Sequence, residues 1–245
     1  MHEGKKNGKS PTGTKSFINS IWMEQYFVKI NSIGKVTHDV LKIVTARPDN
    51  YYFNPGQATE IAINKAGWVT ERRPFTFTSL PADGYLEFTI KTYPSRNGVT
   101  NELLKLKEGD ELILHEIFGT IAYKGEGVFI AGGAGVTPFI SIFRAVQADD
   151  KIGGNKLIFA NKTRDDIIHR QEFETMLGKN FINILSGEKS NEYSHGHITA
   201  EFLKEHVTDP EKKIYLCGPE PMMETVETQL SEIGIDVKGI IKEEF

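Results

Sequence analysis

Cysteine is almost missing from this chain: Cys217 stands alone among 245 residues. A single thiol excludes an intramolecular disulfide framework, and it excludes any four-thiolate zinc or iron–sulfur centre assembled by this chain itself. That usage fits a reducing compartment, so a cytoplasmic location is expected. Long apolar runs are missing too. No stretch of eighteen or more apolar residues occurs, so no membrane span is expected. The opening MHEGKKNGKSPTGTKSFINSIW carries basic residues without the apolar core of a secretory signal. Residues 1–23 read instead as a mobile polar tail. Nor is there a surplus of positive charge: 29 Lys and Arg face 33 Asp and Glu, a formal net charge of -4. With no basic stripe carrying interleaved aromatics, nucleic acid is not an expected partner. Metal-ligand spacing is equally scarce. His195 and His197 in SHGHIT have no further Cys, His or carboxylate suitably spaced, so a turn leading into a helix at Thr199 is expected and no metal.

What the chain does contain falls into two successive patterns. From 25 to about 123, short segments alternate apolar and polar residues: YFVKINSIGKV, HDVLKIVTA, ATEIAINKAG, RPFTFTS, YLEFTIKTY and DELILHEI. Gly, Pro, Asn and Asp punctuate them at the spacing of a small antiparallel barrel or sandwich. One helix is expected among them, over VTNELLKLKEG, with Thr100 or Asn101 capping it and Gly109 closing it. After AYKGEG, strands that are apolar throughout (GVFIAGG, KLIFAN, NFINILS, KIYLCGP) alternate with helical stretches. That is the pattern of a parallel sheet covered on both faces. The expected fold class is therefore two-domain: an antiparallel β-barrel over 24–125 followed by an α/β parallel-sheet domain over 126–245.

Two stretches carry chemistry. In GGAGVTP, the glycines 132, 133 and 135 follow the first parallel strand, and Thr137 and Pro138 open the next helix. Such a loop lies at the carboxyl edge of the sheet, where free amides and the helix dipole make an anion site. Pro138 stands where the third glycine of the common dinucleotide fingerprint belongs, so the cluster also admits a tight turn without ligand. In RRPFTFTSL, Arg73, Phe75, Thr76, Thr78 and Ser79 set a cation, an aromatic ring and hydroxyls on one strand. Alternation places Arg73, Phe75 and Phe77 on one face and Thr76 and Thr78 on the other.

Together these pieces become specific. RPFTFTS resembles the R-x-[YF]-[ST] flavin motif of the ferredoxin–NADP reductase superfamily, GGAGVTP its nicotinamide-nucleotide loop, and YLCGPEPMM its C-G-P-x-x-M segment. FNPGQ is similar to that family's P-G-Q stretch, and GVTNELLKLKEGDEL to its phosphate helix followed by G-D. The matches are in the family's order and extend over essentially everything from 25 to 245.

The resemblance implies a flavin-binding barrel and a nicotinamide-nucleotide domain, with roles as follows. Arg73, beside Pro74, grips the flavin phosphate; Phe75 packs on the flavin ring in place of the commoner tyrosine; Thr76 lies by flavin N5. Gly98, Val99 and Thr100 hold the flavin phosphate or pyrophosphate. Gly132, Gly133, Gly135, Thr137 and Pro138 hold the pyrophosphate of NADH or NADPH. Cys217, Gly218, Pro219 and Met222 border the nicotinamide, with the thiol positioning it rather than attacking it. Phe245 stacks on the flavin at the chain end, and Glu243 supports proton or charge transfer. The stretch from Asn161 through Arg164 to Asp166 reads the adenosine ribose. There the cues conflict: Arg164 or Lys162 suits a 2′-phosphate, whereas Asp165 or Asp166 suits a free hydroxyl, and NADPH or dual use is favoured.

FAD is expected in preference to FMN. The implied activity is hydride transfer between NAD(P)H and flavin N5, with electrons exchanged singly with a separate ferredoxin, flavodoxin or oxygenase component. Alternatives are a reductase of free flavin, ferric chelates or a haem protein, and a partner-dependent, non-catalytic subunit of a larger complex.

Overall fold

The computed structural model describes residues 25–243. The tail expected over 1–23 and the aromatic Phe245 lie outside the described residues. All six alternating segments form strands: β1 Tyr26–Thr37, β2 Val40–Ala46, β3 Ala58–Ile63, β4 Arg73–Thr76, β5 Tyr85–Lys91 and β6 Glu111–Phe118. Their order is β4-β3-β6-β1-β2-β5, with antiparallel neighbours throughout. A bridge from Phe77 to Phe88 brings the chain after β4 back to β5 and curls the sheet into a barrel. Period-two alternation decides the inside: Val28, Ile30, Ile43, Ile61, Phe88 and Leu114 share one apolar core. Phe53 stacks on Phe77 there, ring centroids 4.2 Å apart.

The expected helix is shorter than the sequence pattern. Helix α1 covers only Val99–Glu102, Gly98 rather than Thr100 or Asn101 is its N-cap, and a 3-10 turn at Leu103–Lys105 ends it. Packing explains this. Val99 and Leu103 plug the barrel core, while Lys65 and Lys105 hold the buried Glu102 carboxylate at 2.5 and 2.7 Å. Beyond them Asp110 accepts from the Lys107 amide at 2.9 Å. Gly109 takes a φ of 89° in that turn, so it launches β6 instead of closing the helix.

The second sheet contains β7 Gly127–Gly132, β8 Lys156–Asn161, β9 Phe181–Leu185, β10 Ser194–His195, β11 Lys213–Cys217 and β12 Ile241–Lys242. Its order is β10-β9-β8-β7-β11-β12, all parallel. Helices α2 Thr137–Ala148 and α3 Arg170–Leu177 cover one face, α4 Ala200–His206 and α5 Glu220–Glu232 the other. Thr199 caps α4 by accepting from the Phe202 amide, as the sequence predicts. Strand order runs outward from β7 through β8 to β9, then restarts on the other side at β11. The crevice at the carboxyl ends of β7 and β11 is thus the topological switch point. No helix among the described residues is long and apolar enough to cross a membrane.

The two sheets meet through both apolar and ionic contacts. Val40 of the barrel and Ile121 join the core built on α2, with Phe139 and Phe143. The outward face of β5 presents Glu87 and Thr89, polar yet 5% and 4% exposed. Arg144 of α2 donates from Nη1 to Glu87 and to the Thr78 carbonyl, each at 2.6 Å. It also forks onto both Glu172 oxygens of α3, at 2.5 and 2.9 Å. Burial pushes the Glu172 carboxyl up, but the Arg144 and His169 contacts outweigh it and hold the group at about 2. A depressed carboxylate stabilises the fold fully above its free-chain value and loses that contribution as pH falls toward the folded value. Glu172→Gln should therefore lower unfolding free energy by about 2 kcal/mol at pH 7, and the deficit should shrink by about half at pH 3. Urea melts at both pH values measure it. A deficit equally wide at pH 3 would show that charge pairing is not its source.

Candidate functional site

A cleft of about 500 Å³ opens where the barrel faces the switch point. Its barrel wall is β4, which contributes Arg73, Pro74, Phe75 and Thr76. As an edge strand, β4 tolerates Pro74 without losing an interior ladder bond. Phe75 leans on the barrel core yet borders the cleft, leaving apolar area available to a planar group. Arg73 is half exposed, and among the described residues its guanidinium contacts only its neighbours, Glu71 at 3.7 Å and the Arg72 carbonyl at 2.5 Å. Gly98, Val99 and Thr100 line the same cleft at the start of α1, where no side chain caps the helix.

The opposite wall is the glycine loop. It forms a 3-10 turn at Gly133–Val136 before α2 begins, so strand and helix are not joined directly. Val136 caps α2 without any side-chain hydrogen bond, but the Thr137 amide already donates to the Ala134 carbonyl and Pro138 has no N–H, so any anion here would be met by the loop and the helix dipole rather than by those two amides. Gly135 is required by contact: a Cβ there would lie 2.3 Å from the Cys217 carbonyl oxygen. Gly133 is favoured by conformation, at φ +51°, with open space beside it. Thr137 donates to the Ala134 carbonyl at 3.0 Å and reaches the Thr76 hydroxyl of β4 across the cleft at 3.4 Å.

Cys217, at the end of β11, lines the floor. Burial pushes its thiol up to about 12, and the Glu243 carboxylate adds to the shift. The group is therefore a neutral thiol at ordinary pH, unsuited to nucleophilic attack. Glu243 reaches the cleft because Lys242 sits in β12 and its carbonyl accepts from Thr120. Gly218 and Pro219 follow Cys217 into α5, and Met222 lies against Gly132, where a Cβ would fall 2.2 Å from the Met222 sulfur.

Three predicted residues stand apart from this cleft. Asn161, at the carboxyl end of β8, is 8% exposed, and its Nδ2 is buried without a hydrogen-bond partner. An orphaned donor at that edge suits a ligand. Arg164 pairs with Glu192 at 3.0 Å and lies over the Tyr193 ring. Asp166 closes a capping box, accepting from the Thr163 amide at 2.9 Å and hydroxyl at 2.8 Å. Its other oxygen faces His38 of the barrel at 3.8 Å.

Sequence reasoning missed the cleft's other cations, Lys91 and Arg96. Lys91, Tyr93 and Arg96 line it beyond the end of β5, with Arg96 over the Tyr93 ring at 5.0 Å. The signal was present in YLEFTIKTY, whose polar alternation marks a face that a second layer must cover or a ligand must meet.

The lining fits two phosphate-bearing, planar cofactors: a half-exposed guanidinium and the start of α1 on the barrel side, a glycine loop at a helix N-terminus on the other. Family models agree. Residues 25–116 match an FAD-binding domain and residues 129–228 an oxidoreductase NAD-binding domain. Among curated proteins, the chain is 27% identical over 237 residues to NADH-cytochrome b5 reductase 2 of Mycosarcoma maydis, covering 86% of this chain and 67% of that one. It is 32% identical over 179 residues to NADH-cytochrome b5 reductase 1 of Aspergillus terreus, covering 65% of this chain and 60% of the relative. Among solved structures, a ferredoxin NADP+ reductase from Neisseria gonorrhoeae with bound FAD and NADP superposes with TM-score 0.79 at 18% identity, over 89% of this chain and 98% of that one. The CS-b5R domains of human Ncb5or in the NAD+ form give 0.78 at 25% identity, over 91% and 70%. With an FAD-binding domain model followed by an NAD-binding one, on a barrel followed by a parallel sheet, this chain belongs to the ferredoxin–NADP reductase superfamily of flavin-dependent oxidoreductases.

Proposed function

We propose that the chain takes electrons from a reduced nicotinamide nucleotide and hands them, through FAD, to a separate one-electron acceptor. The observation that carries this reading is the 3.4 Å approach of the Thr76 and Thr137 hydroxyls, which sets the flavin-motif strand against the nucleotide loop in one cleft. When bound, a flavin accepts two electrons together and releases them singly. The protein's contribution is placement. Arg73 forks onto the flavin phosphate, the amides of Val99 and Thr100 hold the phosphate chain beside Gly98, whose own amide is committed to the Arg96 carbonyl, and Phe75 covers the ring. Thr76 donates a hydrogen bond at the ring's reactive edge. Gly132, Gly133, Gly135 and Pro138 seat the nucleotide pyrophosphate, while Asn161 offers its orphaned amide to the nucleotide. The neutral Cys217 thiol and Gly218, backed by Pro219 and Met222, border the nicotinamide, with Glu243 alongside. The two units divide near Gly125.

The acceptor we favour is a small haem protein, because the curated relatives are named for cytochrome b5 reduction; a ferredoxin, flavodoxin or oxygenase component is the competing choice. NADH is favoured over NADPH. Arg164, the residue suited to a 2′-phosphate, is already paired with Glu192, and Glu188 accepts from its amide at 2.8 Å. Those acids, with Asp165, repel an added phosphate.

Anaerobic NADH should bleach the visible bands of the FAD-loaded protein faster than NADPH does, and the reduced protein should then reduce cytochrome b5 faster than ferredoxin or flavodoxin. Bands that persist with both nucleotides would end the reductase reading, and a faster ferredoxin or flavodoxin would end the haem-protein one. Arg73→Ala should weaken FAD binding roughly 10- to 100-fold, the worth of a charge-assisted hydrogen bond, with an unchanged barrel. Fluorescence titration reads it, and unchanged affinity removes Arg73 from the phosphate site. Iodoacetamide should label Cys217 slowly in the folded protein at pH 8 and rapidly in urea, because its thiol is held neutral; labelling as fast in the folded state would contradict a neutral thiol.

A further inference from the structure

Arg144 lies seven residues into α2 from Thr137, about 10 Å along the helix at 1.5 Å per residue. It lines no part of the cleft. We propose that Arg144 is a positioning residue for transfer across the cleft, fixing how closely the start of α2 approaches β4. The inference rests on the flavin and nicotinamide reading above.

The first argument is where its donors go. The Thr78 carbonyl that receives Nη1 belongs to the stretch carrying Thr76. Glu87, the second acceptor, is itself tied to that stretch by the Thr78 hydroxyl at 2.9 Å. Arg144 thus holds both the backbone just past the flavin motif and the β5 carboxylate beneath it. Glu172 grips the remaining edge of the guanidinium in a bidentate fork from α3. One planar group spans the barrel, α2 and α3, a geometry that a point-charge ammonium cannot reproduce.

The second argument is that α2 has another tether on an adjacent turn. The Ser141 hydroxyl accepts from the Gly56 amide at 3.0 Å, fully buried. The tether point is closely packed: Gly56 takes φ +97°, and even a Cβ there would lie 2.3 Å from the Ile121 carbonyl oxygen. A helix held at one point can pivot; held at Ser141 and Arg144 it cannot. The free end of that rigid segment is Thr137, whose hydroxyl meets Thr76. Holding α3 against α2 would require only the Arg144–Glu172 pair. The bonds to Thr78 and Glu87 reach across the domains, and they set a distance. Reacting atoms must come within about 3 to 3.5 Å, and a 1 Å misplacement costs about 10²-fold in rate.

Two variants test this. Arg144→Lys keeps the charge but loses the fork; Glu87→Gln leaves Arg144 on Glu172 and weakens only the barrel side. In the cofactor-free protein, amide exchange should rise about tenfold or more over residues 133–140 and 77–79 in both variants, with the central strands unchanged. In the FAD-loaded protein, the limiting rate of flavin reduction per bound flavin should fall roughly 10- to 100-fold. FAD and nucleotide dissociation constants should stay within about threefold, and 4-deuterated NADH should show a larger isotope effect. Glu87→Gln should lose less than Arg144→Lys. A limiting rate per bound flavin within about twofold of wild type, in either variant that folds, overturns the proposal. So does loss of FAD or of fold with an unchanged rate in the remaining flavoprotein, because that marks a merely structural residue. Failure of the wild-type flavin to bleach would instead overturn the function, a result the cofactor-free exchange measurement does not share.

Discussion

Glu87 is a carboxylate on the outward face of an antiparallel sheet, 5% exposed, and such a placement costs several kcal/mol unless a cation meets it. Arg144 meets it from the other sheet at 2.6 Å. The pair therefore couples the barrel to the parallel sheet: separating them takes from Glu87 the cation that meets it, while Arg144 keeps Glu172. The hydroxyls of Thr78 and Thr89, 3.3 Å apart, satisfy the polar groups around it. Thr89 reaches His169 of the second unit at 3.3 Å, which in turn pairs with Glu172 at 3.1 Å. Replacing this network with apolar side chains would be energetically tolerable. What hydrogen-bonded charges add is a single register between the two sheets.

Register matters because the cleft is assembled from elements far apart in the chain. Strand β4 brings Arg73, Phe75 and Thr76, the loop after β7 brings Thr137, and β11 brings Cys217. Two close approaches tune the floor. Gly135 lets its loop rest on the Cys217 carbonyl, and Gly132 makes room for the Met222 sulfur. Each brings backbone to where a pyrophosphate and a nicotinamide would lie, so these glycines act through the space they leave as much as through anything they bond.

Most of the fold was legible. Alternation located all six barrel strands, since Ile43, Ile61 and Phe88 have only one apolar core to enter. Uniformly apolar GVFIAGG and KLIFAN announced strands covered on both faces. The motif residues of β4 and the glycine loop were legible because backbone constraint and charge leave local signatures. The α1 boundary was not: Gly98 displaced Thr100 and Asn101 as cap because Val99 and Leu103 had to reach the barrel core, a tertiary demand that helix propensity does not encode. The face rule also missed at β4. Arg73, Pro74, Phe75 and Thr76 all border the cleft, as they form an edge strand open on two sides. Arg144 was illegible for a simpler reason: its partners Thr78, Glu87 and Glu172 are scattered along the sequence, and nothing local marks them as one site.

The side chains gathered in the cleft do little chemistry of their own. Cys217 is held neutral by burial and by Glu243, and Thr76, Thr137 and Thr100 offer hydroxyls with no strong base beside them among the described residues. Nothing there forms or breaks a covalent bond with the chain. Rate must then come from distance, orientation and exclusion of water, all of which depend on how two independently packed sheets are held together. In the proposed reading, nucleotide selectivity lies elsewhere, at the rim, where Arg164 is committed to Glu192. That division has a physical consequence in the proposed reading: charge changes at the β8 edge alter which nucleotide binds without disturbing the cleft, while a change at Arg144 alters transfer without touching either cofactor.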